Sequence, residues 1–152
     1  MSKKIFNYIN ELESHVPNFE ISNLDISKST VGWQIDHSLK VINNVCIAMH
    51  SSDPNTFKNN MSFLGKFLLT IGKFPRGKAN APKHVRPPEI IKKDELINQV
   101  EDAKVNLATI ETLPRNAYFK HPMFGHINKK RVLRFLEIHT NHHLKIIRDI
   151  LK

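Results

Sequence analysis

An all-α helix bundle is the fold this sequence predicts, and three observations predict it. Apolar residues recur at spacings of 3 and 4 along most of the chain, no segment carries a convincing strand alternation, and prolines mark the ends of the periodic stretches. The 152 residues, 40% of them hydrophobic, suit one domain, which we read over 1–152.

Ile5, Ile9, Leu12 and Val16 are spaced 4, 3, 4 and predict a first helix over about 3–15, closed by Pro17. Ser27, Ser29 and Thr30 offer caps for a second helix over about 32–51. That helix has two apolar stripes. One is Ile35, Leu39, Ile42, Cys46 and Met49; the other is Trp33, His37, Val41, Val45 and Ala48. Two apolar sides predict neighbours on both. Pro54 suits the first turn of a third, shorter helix with the stripe Phe57, Met61, Leu64, Leu68 and Ile71. Residues 72–93 hold four prolines and seven Lys or Arg against the single acid Glu89, and predict a long basic crossover loop. Asp94 opens a fourth helix with the stripe Leu96, Val100, Ala103, Leu107 and Ile110, closed by Pro114. A loop through His121 and His126 follows, and Asn128 is expected to cap the last helix. The prediction is therefore four long helices, one shorter helix and a long crossover between the second and fourth.

Charge and composition exclude some functions. Lys and Arg total 23 against 14 Asp and Glu, a formal +9, which attracts anions of any class. No basic strand interleaved with aromatics and no recognition helix is visible, so nucleic-acid binding is not expected. No apolar run approaches the roughly 18 residues of a membrane span, and the first residues lack the apolar core of a secretion signal. Cys46 is the one cysteine, expected as a small core residue, and a chain without cystines fits the cytoplasm.

The nine histidines are the most informative residues. The inward stripe of the last helix reads Val132, Leu136, His139, His143, Ile146, Ile150, so two of six core positions are imidazoles. Positions i and i+4 share a helical face, which lets both rings address one metal ion. Two bare imidazoles side by side in a core carry donors and acceptors that need partners, and a metal removes much of that cost. His37 is the candidate third ligand, provided that the second and last helices are neighbours. Three histidines leave coordination positions open, as catalytic sites do. A core histidine held only by hydrogen bonds is the alternative for each. His142 points off the stripe. His15, His50 and His84 suit the surface or loops. Asp36 suits the helix dipole better than a role as base or outer partner. Trp33 suits the core or a pocket wall.

The stretch from Phe124 to Leu144 resembles the end of DinB/YfiT-like proteins, in which an HP-x-FG loop (here His121 to Gly125) precedes a helix carrying H-x-x-H-H-L (here His139 to Leu144). The segment from Pro75 to Lys83 resembles an uncharacterised, domain-of-unknown-function subgroup of these proteins. The resemblance implies an up-down-down-up four-helix bundle and a histidine triad that carries over as His37, His139 and His143. It implies zinc or nickel as the divalent metal, a low-molecular-weight thiol as co-substrate, transferase or hydrolase chemistry, and a homodimer.

A metalloenzyme acting on a small, anionic molecule is the function expected. Arg76, Lys78 and Lys83 are the first candidates to bind its carboxylate or phosphate, against the alternative of solvated loop charges. The competing function is a non-catalytic metal-binding or protein-interaction module. No Ser-His-Asp order, Cys-His pair or phosphate loop is recognisable, so the metal must carry the chemistry. A di-iron site is disfavoured, since no Glu-x-x-His pair exists.

Overall fold

The structure, a computed structural model, describes residues 3–77 and 80–152. Five helices form where the periodicity lies: α1 (Lys3–Ser14), α2 (Val31–Ser51), α3 (Phe63–Ile71), α4 (Lys93–Ile110) and α5 (Lys129–Ile150). The cap of α2 is Thr30, whose Oγ1 accepts from the Trp33 amide at 3.1 Å. Pro17 falls in a 3-10 turn, Val16–Asn18, just beyond α1.

Helix α2 packs against α4 on one side and α5 on the other, and α1 closes the bundle against the same two helices. This accounts for the two apolar stripes of α2, although the second fades at the exposed Ala48. Polar contacts fix the directions. Asp36 meets Gln99 and Asn43 meets Asn106, so α2 and α4 run parallel. Gln34 and His37, at the start of α2, meet His143 and His139 in the second half of α5, so those two run antiparallel. Glu11 in the last turn of α1 takes a two-pronged bond from Arg148 in the last turn of α5, at 2.7 Å for each contact. The guanidinium holds the Glu11 carboxyl below the usual range. The order is up-down-down-up over α1, α2, α4 and α5. Two parallel helices joined in sequence need the long return that residues 72–92 supply. Val85, buried within a 3-10 turn (Lys83–Val85), pins that return to the bundle.

The structure corrects the sequence reading in three places. The loop before α5 contains a hairpin, β1 (Tyr118–His121) and β2 (Gly125–Asn128), with Phe119 opposite Ile127. Four-residue strands are too short to show a period. His121 organises the turn: its Nδ1 accepts the amides of Met123 and Phe124, both at 3.1 Å. Gly125 has φ +82°, and a Cβ there would stand 2.8 Å from Asn60 atoms.

The second correction concerns α3, which starts nine residues after Pro54. Pro54 begins only a 3-10 turn, Pro54–Thr56. Residues 57–62 are taken by the hairpin instead: the Lys58 amide donates to His126 Nδ1 at 3.0 Å, Asn60 Oδ1 accepts the His126 amide at 2.9 Å, and the Ser62 amide donates to Phe124 O. The inward residues are Met61, Gly65 and Leu69, while Leu64 and Ile71 of the expected stripe are exposed. Third, Asn128 occupies the cap position of α5 but its side chain makes no capping bond. Among the described residues, no helix is long and apolar enough to cross a membrane.

Candidate metal centre

Helix periodicity puts His139 and His143 one turn apart on the face of α5 that meets α2, and His37 stands opposite them in the second turn of α2. The three ring centroids are separated by 5.1 Å (His37 to His139), 4.7 Å (His37 to His143) and 4.7 Å (His139 to His143). Each ring offers one nitrogen, and these nitrogens lie within 4.8 Å of one another. His37 and His143 are buried and His139 is half-buried.

In two of the rings the other nitrogen is held as in a ligand histidine. His37 Nδ1 stands 2.8 Å from the carbonyl oxygen of Val85. A carbonyl only accepts, so this nitrogen carries the proton and Nε2 carries the lone pair. His143 Nδ1 stands 2.6 Å from Gln34 Oε1, with the same result. Outer acceptors that fix tautomer and ring angle are the usual surroundings of a metal-bound imidazole. His139 Nδ1 is sealed from solvent and has no partner. An orphaned polar atom in a core costs about 1–3 kcal/mol unless something satisfies it.

Burial, then the neighbouring rings, hold His139 and His143 well below the ordinary histidine range. Burial also lowers His37, partly offset by the Val85 bond and the nearby Asp36 charge. All three are therefore neutral at pH 7, the form that binds a cation. The all-imidazole donor set and the two oriented rings fit a divalent ion. Two zinc–nitrogen bonds at the tetrahedral angle set their nitrogens about 3.4 Å apart, so an ion would draw these rings inward from separations of up to 4.8 Å.

Aromatic walls surround the triad. Trp33, expected in the core or in a pocket wall, stacks on His37 with ring centroids 5.1 Å apart. Phe135 stacks on His139 at 5.9 Å, and Phe74 from the crossover meets His139 edge-on at 6.4 Å.

Other residues singled out in the sequence lie elsewhere. Asp36 turns to α4: Oδ2 binds Lys40 Nζ at 2.6 Å and Oδ1 accepts from Gln99 at 2.8 Å. It is a clamp between helices. His126 is structural, stacked on Tyr118 at 4.2 Å. His142 is half-buried beside the triad, 4.9 Å from His143 ring to ring and 6.5 Å from the Phe74 ring. Arg76 pairs with Asp149 at 2.8 Å; Lys83 is exposed in the Lys83–Val85 turn; Lys78 lies outside the described residues. Cys46 is fully buried, and burial pushes its thiol up to about 12.

Sequence reasoning missed Gln34 and Val85. Gln34 precedes His37 by three residues, so its place on the same face was readable. Val85 acts through a backbone carbonyl, for which side-chain identity gives no signal.

Fold and site together define a helix-bundle protein with a buried three-histidine group that could hold a metal ion. Residues 54–149 match the family described as "Protein of unknown function (DUF1569)", and the chain belongs to that family. The matched region contains His139 and His143, while His37 precedes it. No curated protein and no solved structure gives a significant match.

Proposed function

We propose that this protein is a divalent-metal-dependent enzyme of the DinB/YfiT-like kind, with zinc or nickel held by His37, His139 and His143 and a small molecule as substrate. One observation carries the reading: two buried imidazoles have their Nδ1–H committed to Val85 and Gln34, which leaves their Nε2 lone pairs free in a group of three histidines whose candidate ligand atoms lie within 4.8 Å of one another. A purely structural histidine cluster would satisfy its nitrogens among neighbouring protein groups. The up-down-down-up order, the turn around Phe124 and Gly125, and the run His139 to His143 support the DinB/YfiT-like kind.

A divalent ion in this setting supplies Lewis acidity, which lowers the pKa of a water or of a thiol co-substrate. The chain's own residues do the rest. Gln34 and Val85 hold two ring planes, and Trp33, Phe74 and Phe135 pack apolar rings against the triad. Three protein ligands leave room for a reactant. Thiol-dependent group transfer is the chemistry we assign. A homodimer is the assembly we assign, and the exposed Phe63 and Phe67 on α3 form an apolar face of the kind such contacts cover.

Elemental analysis of protein purified without chelators or affinity metals tests the centre. The expected result is one zinc or nickel per chain, lost in His139→Ala with helicity retained. Wild-type protein free of metal would refute the proposal. Turnover assays with low-molecular-weight thiols, with and without metal, then test catalysis.

A further inference from the structure

Beside the triad, on the far side of Phe74, lies a small cleft where the start of the crossover meets the outer face of α5. Its walls include Lys73, Phe74 and Arg76 from the crossover, and Asn141, His142 and Lys145 from α5. Its volume is about 90 Å³. That is less than the roughly 150 Å³ that accepts a benzene ring, so the cleft takes one compact group.

The charges around it are unbalanced. Lys73 and Lys145 have no ion pair among the described residues. Arg76 is paired with Asp149, yet that pair is weak for two reasons. Both side chains are partly in water, 45% and 28% exposed. Asp149 also holds Lys152 at 2.8 Å, so it keeps a partner if Arg76 leaves. An incoming anion can therefore take Arg76 at little cost, and its guanidinium fork suits a carboxylate or a phosphate. Asn141 adds an amide donor, and Phe74 and Ile138 supply apolar walls that strengthen charge pairing.

The cleft adjoins the triad through shared residues. Phe74 is 6.4 Å from the His139 ring and 6.5 Å from the His142 ring, and His142 adjoins His143. We propose that Lys73, Arg76, Asn141 and Lys145 form an anion subsite that anchors the carboxylate or phosphate end of the substrate beside the three-histidine centre. Lys83 is not part of it. The role as a substrate anchor rests on the metalloenzyme reading; the anion binding does not.

Inorganic phosphate and acetate are the probes, titrated into the full-length protein while backbone amide NMR shifts are followed. Saturable shifts at Asn141 and Lys145 are expected at millimolar anion. The tighter of the two probes tells whether phosphate or carboxylate is the group recognised. Lys73→Ala with Lys145→Ala should weaken binding about tenfold or more. Asp149→Asn, which frees Arg76, should strengthen it. His37→Ala should abolish metal binding and leave phosphate binding unchanged, so the two proposals fail separately. No saturable shift with either anion overturns the subsite. So does binding that the double Lys variant leaves intact, because the anion would then sit elsewhere on the basic surface.

Discussion

The Nδ1 atom of His143 lies 2.6 Å from Oε1 of Gln34, and Gln34 stands one helical turn before His37. One turn of α2 thus supplies both a candidate ligand and the group that orients another candidate ligand across the helix interface. Removing such an outer partner typically costs 10- to 100-fold in metal affinity. Gln34→Leu should weaken zinc by about that factor with the fold intact. Competition with a chromophoric chelator measures it, and unchanged affinity would separate Gln34 from the centre.

Trp33 is the one tryptophan, and it stacks on His37 at 5.1 Å. Its fluorescence should therefore report the centre directly. Nickel should quench it saturably in wild type and not in His139→Ala. Metal at about 100 times its Kd adds about 2.7 kcal/mol, which raises the Tm of a chain this size by roughly 5–10 °C. A melting curve indifferent to both metal and chelator would contradict this.

Asp36 is predicted to matter for stability and not for metal. Asp36→Ala leaves Lys40 and Gln99 without their acceptor and should cost about 1–3 kcal/mol in denaturant unfolding. Zinc affinity should stay at the wild-type value. A tenfold loss of affinity would instead place Asp36 among the residues that tune the ligands.

His121 makes the hairpin acid-sensitive. Burial pushes its pKa down to about 4, and Nδ1 must stay unprotonated to accept the Met123 and Phe124 amides. Below pH 6.5 the unfolded chain takes up this proton and the folded chain does not, so stability falls with pH. The contribution is complete above about pH 6.5 and lost by about pH 4. It amounts to about 2 kcal/mol after allowing for partial solvent contact. His121→Asn keeps an acceptor without the titration. Its Tm should vary less between pH 7 and 4 than that of wild type; equal slopes would exclude His121 as the source.

The extent of the bundle was legible because four helices carry unbroken apolar stripes, and a stripe such as Leu96, Val100, Ala103, Leu107 and Ile110 has one interpretation. The His139 and His143 pair was legible for the same reason, since the last helix presents them where Leu or Ile would otherwise stand. His37 was legible only in part: its stripe on α2 is the weaker one, and its role depended on which helices are neighbours. The hairpin was invisible because Tyr118–His121 and Gly125–Asn128 each span only two periods of strand alternation. The start of α3 was misplaced because hydrogen bonds joining Lys58, Asn60 and Ser62 with the hairpin outweigh the local preference that begins at Pro54.

By itself the sequence determined the four bundle helices α1, α2, α4 and α5, their main buried faces and two imidazoles on one stripe, since all of these follow from a repeat of 3.6 residues. Only the tertiary structure decided that α2 lies against α5, that Val85 and Gln34 set two of the rings, and that Lys73 and Arg76 of the crossover meet Lys145 across a cleft. Those relations join residues tens of positions apart. They depend on packing and on single hydrogen bonds, neither of which leaves a period in the chain.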